Sequence, residues 1–144
     1  MRKGLTDDWS IDLDAEYASR MVDGSLQFVG GGRTIWITVW TSPAEGSPEG
    51  TLEGLKRDVV NSTPKGKVEE HSPDRLEHRY ASWYDEPGVR GTQYSLYGYT
   101  VRRNSFVQSV FISDSPADTE WALTLWRSIS YQAVIEADQK GQSK

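Results

Sequence analysis

Few residues of this chain could do chemistry, and most stand at spacings that the chemistry does not use. Asp12-Leu13-Asp14-Ala15-Glu16 has the acid spacing that opens a calcium loop. Such a loop needs Gly at its sixth position and Glu at its twelfth, where this chain has Tyr17 and Asp23. These acids read instead as surface groups flanking a strand. Gly30-Gly31-Gly32 could cradle a phosphate only if a helix N-terminus followed, and a strand pattern follows. The run reads as a hairpin turn. His71 and His78 lie seven residues apart, without the i, i+4 spacing of a zinc helix and with no cysteine to complete a site. They read as structural or surface histidines.

Nucleophilic chemistry has as little support. A Ser-His-Asp triad is spatial and leaves no fixed sequence trace. The chain has no Gly-x-Ser-x-Gly elbow, and Gly46-Ser47-Pro48-Glu49-Gly50 has the wrong spacing. With 21 acidic residues, accidental carboxylate pairs are common, so no glycosidase pair can be assigned. Arg102-Arg103 beside Tyr97 and Tyr99 offers cations with aromatics, the ingredients of a nucleic-acid stacking platform. The formal charge of −5 argues against that use. We expect no enzymatic activity and no cofactor.

Composition narrows the class further. The 144 residues suit one domain, large enough to fold on its own core. Zero cysteines exclude disulfides, thiolate metal sites and a cysteine nucleophile. Arg2 and Lys3 could open a signal peptide, but Thr6, Asp7 and Asp8 stand where its apolar run would be. Apolar stretches are too short to span a membrane. These features predict a cytoplasmic protein with no membrane insertion and no nucleic-acid partner. Residues 1–8 and 133–144 read as tails around a single domain over 9–132.

The elements that must position any site follow from periodicity. Alternation over Trp9–Leu13 predicts a strand, Asp14–Arg20 a turning segment, and Ser25–Val29 with Arg33–Thr41 a hairpin. Ile35, Ile37 and Val39 oppose Trp36, Thr38 and Trp40, as in a strand covered on both faces. Ser47-Pro48-Glu49 starts a helix carrying Leu52, Leu55 and Val59, which ends before Pro64. Lys67–Glu70, Leu76–Asp85, Thr92–Arg103 and Ser105–Ser113 follow as strands, the last three as an antiparallel meander. Ser115-Pro116-Ala117-Asp118 caps a second helix, with Trp121, Ala122, Leu125, Trp126 and Ile129 on one face. The order β-β-β-α-β-β-β-β-α predicts an α+β domain: an antiparallel sheet of six to seven strands with two helices packed on it.

The segments DWSIDLDAEYASRMVDGSLQFVGGGRTIWITVW and YTVRRNSFVQSVFISDSPADTEWALTLWRSISY carry a resemblance. A Trp-initiated strand leads to a hairpin; near the other end a hairpin leads to a Ser-Pro-capped helix and a Trp-x-x-Ile close. From Trp9 to Tyr131 the chain resembles small bacterial proteins of the PsbP-like fold. That group includes DcrB-like proteins and type VI effector-associated chaperones, and also photosystem and nuclear-transport accessory proteins. The resemblance implies a sheet with packed helices, no catalysis, and a role in binding another protein.

The aromatics give the binding reading its residues. The chain has 6 Trp, 7 Tyr and 3 Phe, and strands favour such residues in cores. Four strands are nonetheless apolar or aromatic on both faces. Were both helices on one face, Trp36, Trp40, Trp83, Tyr97 and Tyr99 would be partly bare on the other, with Arg102 beside them. Aromatics and Arg are enriched where proteins bind. The expected partner is a client polypeptide or a second copy of the chain. One alternative is an immunity or inhibitor protein that meets a toxin through Asp7, Asp8, Asp12 and Asp14. Another is a small-molecule pocket between sheet and helix.

Overall fold

The computed structural model describes residues 2–41, 64–73, 76–102 and 105–131. They form ten strands: β1 (Arg2–Gly4), β2 (Trp9–Asp12), β3 (Ala18–Val22), β4 (Ser25–Gly30), β5 (Arg33–Thr41), β6 (Gly66–His71), β7 (Glu77–Gly88), β8 (Gly91–Arg102), β9 (Ser105–Ser113) and β10 (Ser130–Tyr131). A 3-10 turn, Pro116–Asp118, leads into helix α1, Thr119–Ser128. The large sheet is antiparallel, in the order β3-β4-β5-β9-β8-β7-β6. The small one runs β1-β2-β10.

The α+β class and the antiparallel sheet stand; the element count changes. Ten strands in two sheets replace the six or seven expected in one. Trp9–Asp12 belongs to the small sheet rather than the large one. Ala18–Val22, overlapping the segment Asp14–Arg20 expected to turn, is an edge strand, and Arg2–Gly4, expected in a tail, pairs with β2. β7 runs on through Pro87 to Gly88, where a turn was expected. Among the described residues there is one α-helix; the helix expected from Ser47 lies outside them, as does the C-terminal tail.

Turn chemistry sets the two leading hairpins. Asp23-Gly24 and Gly31-Gly32 all have positive φ, as two-residue turns that follow strand twist require. Asp23 manages this as a non-glycine because Asp tolerates the left-handed region. At the other end of the meander, Ser115 caps the 3-10 turn by accepting from the Ala117 N–H at 3.3 Å.

One face of the large sheet builds the core. Phe28, Ile35, Ile37, Val107, Phe111 and Leu96 point to it and are buried. The helix lays Ala122, Leu123, Leu125 and Trp126 against them, and the small sheet adds Trp9 and Ile11. Helix and sheet approach each other closely at Gly98. A Cβ built on Gly98 would lie 2.4 Å from Trp126 Cδ1, so the indole occupies the space that any other residue would fill. The Trp126 ring is fully buried, and its N–H has no hydrogen-bond partner among the described residues. Packing alone sets its position.

Polar groups fix the two helix ends. Arg33 donates to both Asp118 oxygens, at 3.0 and 2.8 Å, and Ser113 adds a 2.6 Å bond. The Arg33 guanidinium, followed by the Ser113 hydroxyl, holds the Asp118 carboxyl below its ordinary range despite partial burial. At the other end Arg79 donates to the Arg127 and Ile129 carbonyls, matching a cation to the negative end of the helix dipole.

Gly98→Ala should therefore cost about 1–3 kcal/mol through overpacking. Gly4→Ala, whose Cβ would meet only Thr6 O at 3.8 Å, should cost no more than about 0.5 kcal/mol. Urea unfolding of both variants measures the difference. Folding lowers the Asp118 pKa below its ordinary 3.8, so that contribution is present above this value and lost as pH falls through the folded one. Asp118→Asn should be less stable than the parent at neutral pH. It should also lose less stability on acidification to about pH 3, as followed by the urea midpoint.

Candidate functional site

The second face of the large sheet carries the aromatics that the core does not use. Strand register places them in rows. Trp40, Phe106, Val101, His78 and His71 form one row, each opposite the next on its neighbouring strand. Thr38, Gln108, Tyr99, Tyr80 and Glu69 form the second, and Trp36, Val110, Tyr97 and Ser82 the third. Side chains of successive residues point to opposite faces, so this assignment follows from the ladders.

The rows divide into a closed part and an open part. On β7 and β8, His78, Val101 and Tyr99 are buried. On β5 and β9, Trp36, Thr38, Phe106, Gln108, Val110 and Ile112 are half-buried, and Trp40 is 48% exposed. Val29 of β4, across from Thr34, adds a second exposed apolar group at 43%. An exposed apolar strip of this kind is where a binding surface is looked for.

Local contacts hold the strip in shape. Trp40 stacks on Phe106, with ring centroids 6.2 Å apart and an interplanar angle of 19°. Its indole N–H donates to the Gln108 carbonyl oxygen at 3.3 Å. Ser25 and Thr38 share a 2.6 Å hydroxyl bond beside it. Tyr97 donates to Glu86 at 2.7 Å and meets Tyr84 edge-on at 5.6 Å. Burial, then the Glu86 carboxylate, push the Tyr97 phenol far above its usual range. It stays a donor at any physiological pH.

The residues expected to form one binding face are thus split. Trp36, Trp40, Tyr97 and Tyr99 share the second face. Tyr99 is only 4% exposed, so it is not the bare aromatic that was expected. Trp83 and Arg102 sit on the core side. Trp83 covers Gly66, where a Cβ would come within 2.1 Å of the ring, and lies opposite Leu96. The Arg102 guanidinium lies 5.2 Å above the Tyr131 ring. Phe106 also belongs to the strip. Its alternation with Val107 was visible, but only the β5–β9 pairing places it beside Trp40.

The other sequence candidates also find their places. Gly30 ends β4, and Gly31-Gly32 form the expected hairpin turn. His78 is buried and His71 meets it edge-on, centroids 4.2 Å apart. Among the described residues, no group of three His, Asp or Glu side chains is placed to hold a metal ion. Asp14 accepts from Tyr17 at 2.6 Å and from Arg33 at 3.5 Å. Among the described residues, no helix is long and apolar enough to cross a membrane.

An antiparallel sheet with a helix on one face and a small sheet at its side defines an α+β domain class. Among solved structures it is similar to the solution structure of the cyanobacterial PsbP protein CyanoP from Synechocystis. The match has a TM-score of 0.63 and 10% identity, and covers 92% of each chain. The chain therefore has a PsbP-like fold. No protein-family model matches it, and no curated protein does.

The burial contrast sets a stability contrast. Trp40→Ala should cost no more than about 1 kcal/mol in chemical denaturation, because the ring is half in water already. Phe111→Ala, in the core and 1% exposed, should cost about 3–5 kcal/mol.

Proposed function

We propose that this protein is a non-enzymatic binding module that docks an apolar segment of a client polypeptide on the β5–β9 strip. One observation carries this reading: Trp40, a large aromatic, stands 48% exposed on a rigid sheet, stacked on Phe106 and flanked by further apolar groups. A side chain fixed by stacking loses little freedom on binding, which favours affinity. The resemblance to effector-associated chaperones supports a client of this kind, and the PsbP-like fold is compatible with it. Fold alone does not select a function.

The toxin-inhibitor alternative has weaker support. Its acidic residues are dispersed: Asp7 and Asp8 precede β2, Asp12 ends it, and Asp14 is engaged by Arg33. Association through the strip should survive high salt, whereas association through exposed acids should not.

A photo-crosslinking residue placed at position 40, in the native cell, tests the proposal. Adducts to another polypeptide are expected there, and none from the same residue at Thr124, which is exposed on α1. Equal capture at both positions, or none at position 40, would overturn it.

A further inference from the structure

A second site lies on the core side, away from the strip. Between the start of α1 and the β7–β8 end of the sheet is a cleft of about 180 Å³. That is below the size of drug-like pockets and suits the head of a small ligand. Five aromatic residues line it: Trp83, Tyr84, Tyr94, Phe111 and Trp121. Phe111 meets Trp121 edge-on at 6.0 Å. Two carboxylates, Asp85 and Asp118, also line it.

The surroundings already display the chemistry of a cation site. The Arg33 guanidinium lies 4.5 Å from the Trp121 ring centroid while it pairs with Asp118. The Lys65 ammonium lies 2.9 Å from Asp85 at the cleft. The two cations differ in how firmly they are held. Arg33 makes two bonds to a shielded carboxylate, and it also reaches Asp14. Lys65 makes one ion pair on a side chain 62% exposed, and such exposed pairs contribute about 0–1 kcal/mol. Its backbone N–H is fixed to the Trp83 carbonyl at 2.8 Å, so only the side chain needs to move. Asp118 offsets the positive end of α1, which would otherwise repel a cation.

We infer that this cleft binds an alkylammonium group, which replaces the Lys65 ammonium at Asp85 and rests against Trp83, Tyr94 and Trp121. Aromatic walls with a carboxylate are the recognised means of holding methylated ammonium ions. The group could belong to a free small molecule or to a methylated lysine side chain, and both present the same head.

Choline is the probe, followed in the full chain through the tryptophan side-chain N–H resonances. Saturable shifts at Trp83 and Trp121 are expected. Lys65→Ala, which removes the resident competitor, should tighten binding several-fold. Asp85→Asn should weaken it by about tenfold. Both positions are exposed enough for the variants to fold, which the unchanged remainder of the spectrum verifies. The uncharged isostere 3,3-dimethylbutanol should bind at least about tenfold more weakly than choline. Equal binding of the isostere overturns the inference. So does an absence of shifts in both the parent and Lys65→Ala, or an Asp85→Asn affinity equal to the parent's. A peptide bearing trimethyllysine distinguishes the two sources: tighter binding than choline assigns the site to a side chain, weaker binding to a free molecule.

Discussion

The contact of Trp126 with Gly98 is the constraint on which the rest of this fold depends. An indole can approach β8 this closely only where the strand beneath has no side chain. That single position fixes which face of β8 receives the helix. Ladders then transmit the choice. Gly98 pairs with Ser109 of β9 and Ala81 of β7, both small and both buried. A shallow seat thus runs across three strands beneath the indole. Arg33 and Arg79 secure the helix ends from the sheet side, so the helix cannot slide along its seat. The small sheet closes the flank, where the buried Trp9 indole donates to Ser105 at 2.8 Å.

Once one face of the sheet is committed, alternation commits the other. Strand residues between core positions have no choice of side. Trp36, Trp40, Phe106, Val110 and Tyr97 are therefore displayed together because Ile35, Ile37, Val107, Phe111 and Leu96 are buried together. Aromatic character at such positions is not required for folding, since threonine occupies Thr34 and Thr38 on the same face of β5. The strip and the cleft lie on opposite sides of the sheet and share no residue, so the two binding readings stand independently.

Much of this was legible in the sequence. The strands Arg33–Thr41 and Ser105–Ser113 were delimited to the residue by their alternation, the first also by the glycine run before it. The Ser115 cap was readable from residue types alone. What escaped has physical reasons. β3 buries almost nothing, so Ala18–Val22 shows no periodicity, although Asp23-Gly24 already marked the hairpin it belongs to. β1 and β10 are too short to display a period. Trp83 was grouped with Trp36 because both stand on strands that are apolar or aromatic on both faces. Whether two such residues share a face depends on three successive ladders, from β5 through β9 and β8 to β7, and a single sequence does not state that register. Arg102 was expected beside the bare aromatics, and its ring partner, Tyr131, lies on a strand that was not foreseen.

The three-stranded sheet bears on the order of events during synthesis. β2 accepts β1 on one side and β10 on the other, so residues near 3 and near 130 must meet before that sheet exists. Arg2 ties the same ends together through the Ser128 carbonyl and the Ser130 hydroxyl. Trp9 and Ile11 consequently wait, uncovered, while more than a hundred residues leave the ribosome. Contacts that span so much chain slow folding. The β7–β8–β9 meander is local and can form first. The N-terminal strands would then be the last to dock, onto a sheet and helix already in place.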